Sequence, residues 1–305
     1  MGTGLKVYIH FDMEGVAGVN FPTDPVSKSP LNTWHTLWQR KISTGEVKAA
    51  VAGALEAGAD TIWINDKHFT GFNLNYEEFD PPVELIQGRG ARGPTFMPGL
   101  DETWDAIVFV GAFCKGGTWG AVGTHQLWYI ESIDENDEAT ERIEVGIFGV
   151  VAAGGGYYDV PVVFVSGDDF VCREAEDLVP GIEPGVVKVA HGHWMARSLS
   201  HKAACEVIRK GTKAGIERCK DIKPVKLSGP RYRITVGPNP EDMWFDKSVV
   251  GDDLLKTWEA AQNVLWADFG NYHEDNYAWP DRIGVGDDGK HTTAKRAEYD
   301  EEAQA

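Results

Sequence analysis

Two carboxylates stand one residue apart where the first apolar segment of the chain ends. Residues Val7 to Phe11 form an apolar run typical of a buried strand, and Asp12 and Glu14 follow it directly. Side chains alternate along an extended chain, so the two carboxylates point to the same side. Carboxylates this close repel each other unless one is protonated or a cation lies between them, and a divalent metal is the simplest cation for that place. The alternative, in which Asp12 caps a following helix, stays open at this point.

A second group of polar side chains follows the next predicted strand. The segment 61–64 is apolar, and Asp66 and His68 come shortly after it. A helical apolar pattern separates the two strands, which predicts a parallel pair with a right-handed crossover. The carboxyl ends of parallel strands lie on one edge of a sheet, where ligands of open α/β sheets bind. We therefore expect His68 to meet Asp12 and Glu14 in one crevice.

The order of the predicted elements indicates an α/β protein. Ser43, Thr44 and Glu46 have the form of a capping box, so we expect the first helix to begin there, after a long polar loop from Val19 to Arg40. Further strands are predicted at 106–111, 161–166 and 186–190. The predicted fold is a three-layer α/β/α architecture with a largely parallel sheet, plus a smaller C-terminal α+β unit.

The same patterns divide the chain into three parts. Residues 1–222 are predicted to form an α/β metal-binding catalytic domain, and residues 223–285 a smaller C-terminal α+β unit. Residues 286–305 are polar and charged without periodicity, so we expect them to be disordered.

Composition excludes several classes of partner. The chain has 305 residues and a formal net charge of -18, which disfavours nucleic acid and anionic membranes. No signal peptide pattern and no membrane span are visible. The four cysteines show no close pairing and are expected to be free thiols, which favours a reducing cytoplasm.

Two later motifs can be interpreted either structurally or chemically, and a third can be interpreted only structurally. Asp168 and Asp169 follow a predicted strand, and we favour capping of the next helix over metal binding. His191 and His193 alternate in an extended segment, which suits metal chelation or, more commonly, a pocket or surface position. The glycines 154–156 are expected to end the Ala/Gly-rich helix that precedes them.

Seven short motifs occur in a fixed order between about Lys6 and Cys219. They are Asp12-Met13-Glu14-Gly15, Asn65-Asp66-Lys67-His68, Met97-Pro98-Gly99-Leu100-Asp101, Gly123-Thr124-His125, Glu144-Val145-Gly146, and Tyr157-Tyr158-Asp159-Val160-Pro161 with Ser166-Gly167-Asp168-Asp169. In order and spacing they resemble the zinc-dependent D-aminopeptidase family, of the type encoded in a bacterial dipeptide-transport operon.

The resemblance implies a two-zinc site and a large assembly. Asp12 would bridge the two ions, Glu14 and His68 would hold one of them, and Glu144 would help to hold the other. His125 matches the catalytic histidine proposed for the family. The resemblance also implies a homo-oligomer built on five-fold symmetry, a ring or decamer with a tunnel to its sites.

The chain departs from the family pattern at Phe113. The family has a second histidine ligand at this position, and phenylalanine cannot ligate a metal. Three possibilities stay open: Cys114 substitutes as a thiolate ligand, His191 or His193 reaches in, or the second ion is weak or missing.

The function these residues predict is metal-assisted hydrolysis of an amide bond. One or two divalent ions, zinc by resemblance, would activate water, and the imidazole of His125 would move protons at neutral pH. Asn65 or Lys67 would bind substrate by stabilising the oxyanion. The expected substrates are short peptides or amino-acid amides, from which an N-terminal D-amino acid is released. The alternatives are a hydrolase of another amide or a lactam with one metal, and a non-catalytic protein that binds a peptide or amine.

Overall fold

The computed structural model describes residues 4–20, 30–68, 71–88, 96–125, 127–236 and 247–262. The strands are β1 (Lys6–Phe11), β2 (Thr61–Asp66), β3 (Val83–Ile86), β4 (Ala106–Ala112), β5 (Trp128–Ile133), β6 (Ala139–Val145), β7 (Val162–Asp168), β8 (Glu183–Gly192), β9 (Met195–Ser198), β10 (Arg231–Val236) and β11 (Lys247–Gly251). The helices are α1 (Pro30–Glu56), α2 (Ile147–Tyr157), α3 (Asp169–Leu178), α4 (His201–Glu217) and α5, described over 254–262.

Seven strands form the main sheet, in the order β3-β2-β1-β4-β7-β8-β9. All neighbours are parallel except β8 and β9. From β1 the chain proceeds outward through β2 and β3, and from β4 it proceeds in the other direction through β7 and β8. The strand order therefore reverses between β1 and β4, which are neighbours, and the carboxyl ends of these two strands border the crevice where open α/β sheets bind ligands.

Helices cover both faces of this sheet. Strands β4 and β7 are buried at every position, as expected for parallel strands that are covered on both sides. Helix α1 packs against α4, and α2 contacts α3. The contact between α4 and the sheet is close, since a Cβ atom at Gly211 would overlap the ring of Phe164. The predicted three-layer α/β/α fold with a largely parallel sheet is confirmed.

A second, antiparallel sheet has the strand order β11-β10-β5-β6. It contains strands from both sides of residue 222, because β10 pairs with β5 over Arg231–Val236. The division of the chain at residue 222 stays a prediction. The predicted disordered segment 286–305 lies outside the described residues.

One sequence prediction about helix ends is wrong, one is met to within a residue, and one is confirmed. Helix α1 begins at Pro30, so Ser43, Thr44 and Glu46 lie buried inside it rather than capping it. Helix α2 ends at Tyr157, one residue after the glycines 154–156, and Gly156 packs directly on the carbonyl of Val225. Asp168 caps α3, its Oδ1 accepting from the backbone N–H groups of the second and third residues that follow.

Among the described helices, none is both long enough and apolar enough to cross a lipid bilayer.

Candidate metal centre

The loop 12–20 leaves β1 and passes over the end of β4. The backbone N–H of Asp12 donates to the carbonyl of Val110 at 3.0 Å, and that of Gly15 donates to Gly111 at 2.8 Å. A Cβ atom at residue 15 would overlap the carbonyl oxygen of Ala112, so only glycine fits where the two segments cross. This crossing sets the loop at the strand-order reversal and fixes where its carboxylates lie.

Asp12, Glu14 and His68 form a compact group at this edge of the sheet. Their potential ligand atoms all lie within 4.8 Å of one another, and no other set of three or more His, Cys, Asp or Glu side chains among the described residues does so. His68 Nε2 lies 3.5 Å from Glu14 Oε1. The exposed fractions of Asp12 and Glu14 are 7% and 6%, so the charges of this group are hardly screened by water. The structure thus brings Asp12 and His68 together although they are far apart in the sequence.

The electrostatics of the group favour a bound cation. Burial and the charge of Glu14 raise the pKa of Asp12 well above its ordinary value. Burial would also raise the pKa of Glu14, but His68 and His125 outweigh it and lower that pKa. Burial would lower the pKa of His68, but Glu14 and Asp12 raise it to about 9. Without an ion the group therefore needs protons to balance its charges.

The donor set fits a zinc ion. Glu14 Oε2 is buried and has no hydrogen-bond partner among the described residues, so one carboxylate oxygen is left for a cation. Two carboxylates and one imidazole match the oxygen and nitrogen ligands that catalytic zinc takes from proteins, where three protein ligands leave a position open.

A turn after β2 orients the imidazole of His68. The buried carboxylate of Asp66 accepts from Asn73 N at 2.7 Å, Asn73 Nδ2 at 2.7 Å, Leu74 N at 3.0 Å and Gln87 Nε2 at 3.1 Å. Asn73 Oδ1 lies 3.3 Å from His68 Nδ1 and accepts a hydrogen bond from its N–H, which leaves Nε2 facing Glu14. Asp66 is fully used in shaping the turn and does not join the group. Sequence reasoning missed Asn73, since an asparagine in a loop carries no distinctive signal.

His125 lies beside the group on its open side. Its Nδ1 donates to the carbonyl of Gly123 at 2.7 Å, and its Nε2 lies 3.8 Å from Glu14 Oε1. The ring stacks on Phe113 with 4.4 Å between ring centroids. About a third of the side chain, 36%, is exposed, so this imidazole reaches both the carboxylate and the solvent-facing crevice.

The structure does not bring Glu144 or Cys114 into the group. Glu144 Oε1 lies 2.9 Å from Lys115 Nζ, in an ion pair whose carboxylate is 47% exposed. The thiol of Cys114 is buried, and burial together with Glu174 and Asp168 raises its pKa far above the ordinary value. Its Sγ is also not within 4.8 Å of all the ligand atoms that Asp12, Glu14 and His68 bring together. Phe113 itself packs on His125, where it has no ligand atom to offer.

The other predicted residues have different neighbours. Asn65 Nδ2 donates to the carbonyl of Phe96 at 2.8 Å and lies 3.3 Å from His10 Nδ1, so its amide hydrogens are used inside the protein. Lys67 Nζ lies over the ring of Phe96, 5.9 Å from its centre. His191 is exposed on β8, and the backbone carbonyl of His193 accepts from Gly123 N at 3.0 Å.

Three comparisons with known proteins agree with one another. A family model described as D-aminopeptidase matches residues 5–239. The D-aminopeptidase of Bacillus subtilis (strain 168) is 29% identical over 221 residues, which cover 72% of this chain and 77% of the relative. A solved structure of a Zn-dependent D-aminopeptidase from Bacillus subtilis, described as a self-compartmentalizing protease, superposes with a TM-score of 0.71 at 27% identity, covering 86% of this chain and 97% of that one.

Proposed function

Because the chain belongs to the D-aminopeptidase family, we propose that it is a zinc-dependent aminopeptidase that releases N-terminal D-amino acids from short peptides or amino-acid amides. The observation that carries this proposal is the buried group of Asp12, Glu14 and His68 at the reversal of the strand order. The solved relative is described as zinc-dependent, and the donor set here suits the same metal.

Asp12, Glu14 and His68 would hold the ion. When bound, zinc supplies Lewis acidity and brings the pKa of a water it holds to about 7. His125 is the residue we assign to proton movement, since its Nδ1 is fixed on Gly123 and its Nε2 faces the group.

We propose one ion per chain rather than two. The support is that Glu144 is paired with Lys115 and that Cys114 is not among the ligand atoms brought together with Asp12, while Phe113 offers no ligand atom. Lys67, close to the face of Phe96, is the remaining candidate for substrate binding, and the amide of Asn65 is used internally.

The test is the variant Asp12→Asn, compared with the control Asp252→Asn, whose carboxylate is 87% exposed in a surface ion pair. We expect wild type and control to carry about one zinc per chain by elemental analysis and to hydrolyse D-aminoacyl amides. Asp12→Asn should lose the ion and all hydrolysis above background. Full zinc content and activity in Asp12→Asn would refute the proposal.

The substrate panel separates the competing functions. It should contain D-aminoacyl amides, L-peptides and cyclic amides, each measured with the zinc-loaded wild type. Turnover of cyclic amides alone would favour a lactam hydrolase. Tight binding of a peptide without turnover would favour a non-catalytic binding protein.

We also propose a homo-oligomer, a five-fold ring or decamer, in a reducing cytoplasm. The solved relative is described as self-compartmentalizing, and large side chains such as Trp119 and Phe72 are 96% and 60% exposed here, as in surfaces that other subunits cover. All four cysteines are free, which suits a reducing compartment. Light scattering on the purified protein measures the assembly directly.

A further inference from the structure

A buried lysine lies under the loop that carries Glu14. Lys188 lies near the middle of β8, in register with Asp168 at the carboxyl end of β7, and its side chain is among the largest that are fully buried. Its Nζ donates to the carbonyl oxygens of Glu14, Val16 at 3.2 Å and Val19 at 2.6 Å. An ammonium group has three hydrogens to donate, and here each one has a carbonyl acceptor.

The loop cannot easily hold this shape by itself. Three carbonyl oxygens of one short segment point at a single spot, and their dipoles repel one another unless a positive charge lies between them. Lys188 supplies that charge from a strand three places away from β1 in the sheet. It therefore acts as a fixed cation around which residues 14–19 are wrapped.

Other elements hold the outer edge of the same loop. Glu46 Oε1 on α1 accepts from Ala17 N at 2.9 Å, and Ser198 Oγ on β9 accepts from Gly18 N at 3.0 Å. Both acceptor side chains belong to elements that carry no residue of the metal group. The loop is thus held by the protein on its inner and outer sides.

We infer that Lys188 is a positioning residue of the metal centre: it fixes the loop 12–19 before any ion arrives, so that the carboxylate of Glu14 is already directed at His68. The inference rests on the proposed function only for the identity of the ion. Pre-formed ligands lose less conformational freedom on binding, so Lys188 raises the affinity for zinc without touching it.

The first test needs no variant. Hydrogen exchange of the wild-type protein, followed by mass spectrometry on peptides covering residues 12–19, is measured with zinc and after removal of zinc by a chelator. We expect the exchange rates of this segment to change less than about tenfold, because its hydrogen bonds persist without the ion. Exchange at the rate of an unstructured peptide in the zinc-free protein overturns the inference.

The second test compares Lys188→Met, Lys188→Gln and the control Lys210→Met, whose lysine is on the surface of α4 and 69% exposed. Zinc affinity is measured by competition with a chelating dye, and thermal stability separately. We expect a loss of affinity of about 10–100-fold in Lys188→Met, the range seen when a partner of a metal ligand is removed. The zinc affinity of Lys188→Gln should lie between those of Lys188→Met and the wild type, since the glutamine amide still donates two hydrogens. The zinc affinity of the control should match that of the wild type.

These outcomes separate positioning from a purely structural role. A folded Lys188→Met or Lys188→Gln protein with lower stability but wild-type zinc affinity overturns the inference. Should neither variant fold, the exchange measurement on the wild type still overturns the inference if the zinc-free loop is unstructured. Failure of the proposed function has a different signature, because the wild type itself would then bind no zinc.

Discussion

The orientation of one imidazole illustrates how single residues build this centre. His68 could face the metal group with either ring nitrogen, and the contact of Nδ1 with Asn73 Oδ1 leaves Nε2 for that task. Asn73 is itself held by Asp66 through its backbone N–H and its Nδ2. The chain from Asp66 through Asn73 to His68 is therefore as much part of the centre as the ligand itself.

Asn73→Leu should weaken zinc binding, because His68 then loses the partner of its Nδ1. We expect a loss of affinity of about 10–100-fold in chelator competition. Asn75→Leu is the matched control, since Asn75 lies on the same turn but its side chain contacts Glu78 at 3.4 Å instead. Equal zinc affinity in the two variants would contradict the role assigned to Asn73.

At the scale of elements, the crossing of loop 12–20 over the end of β4 is the tightest contact of the centre. Gly15 lies against the carbonyl of Ala112, and Gly111 lies against the carbonyl of Asp12 with a φ of 81°. A side chain at either position would separate the loop from the strand. The spacing between Glu14 and the rest of the group thus depends on two glycines in different elements.

Gly15→Ala should destabilise the protein by about 1–3 kcal/mol, since the added methyl group overpacks a buried contact. It should also lower zinc affinity about tenfold or more, because the loop must move away from β4. Denaturant unfolding and chelator competition measure the two effects.

Gly117→Ala provides the control, because a Cβ atom at residue 117 meets no other atom although its φ is 84°. The Gly117→Ala substitution should lower the free energy of unfolding by about 1–2 kcal/mol, because alanine is strained in the left-handed backbone conformation. It should leave the zinc affinity unchanged. A Gly15→Ala protein with unaltered affinity would show that the crossing does not set the geometry of the ligands.

At the scale of the whole molecule, a buried acid links the pH to the stability of the fold. Burial raises the pKa of Glu46 to about 8, against the opposing effects of the Ala17 N–H and Lys188. Its Oε2 has no hydrogen-bond partner among the described residues. Among the described residues, the ionisable groups that interact with it are the ammonium of Lys188 and the thiol of Cys205, whose pKa is raised by burial and by Glu46. The folded protein therefore holds the proton of Glu46 more tightly than the unfolded chain.

The sign of the effect follows from this difference. Stability from the protonated carboxyl is fully present below the unfolded pKa of 4.5 and is lost as the pH rises through about 8. Glu46→Gln cannot ionise, so its stability relative to the wild type should improve by at least about 1 kcal/mol between pH 5 and pH 9. Denaturant unfolding of both proteins at pH 5, 7 and 9 measures the difference.

Glu78→Gln is the matched control, because a hydrogen bond from Lys48 lowers the pKa of Glu78 on the surface. Between pH 5 and pH 9, the stability of Glu78→Gln relative to the wild type should change only slightly, and in the direction opposite to that of Glu46→Gln. A Glu46→Gln protein whose stability runs parallel to the wild type at all three pH values would mean that Glu46 does not titrate in this window.

The sequence predicted five of the seven strands of the main sheet because their apolar runs are strong local signals, as at Val7 to Phe11, but it did not predict the short edge strands β3 and β9. It failed at the start of α1, where Ser43 to Glu46 matched a capping box. Local hydrogen-bonding preference was overridden there by tertiary contacts, since Glu46 binds the backbone of Ala17 from within a helix. A local sequence pattern such as a capping box contains no information about a contact with a residue as distant in sequence as Ala17.

By itself, the sequence determined which residue types follow each strand and that parallel strands carry them to one edge, which is why Asp12, Glu14 and His68 were found as a group. Only the tertiary structure decided that Glu144 pairs with Lys115 and that the ammonium of Lys188 holds the loop of Glu14. The reason is physical: strand direction follows from local periodicity, whereas the partner of a long charged side chain depends on which distant backbone and side-chain atoms the packed fold places within its reach.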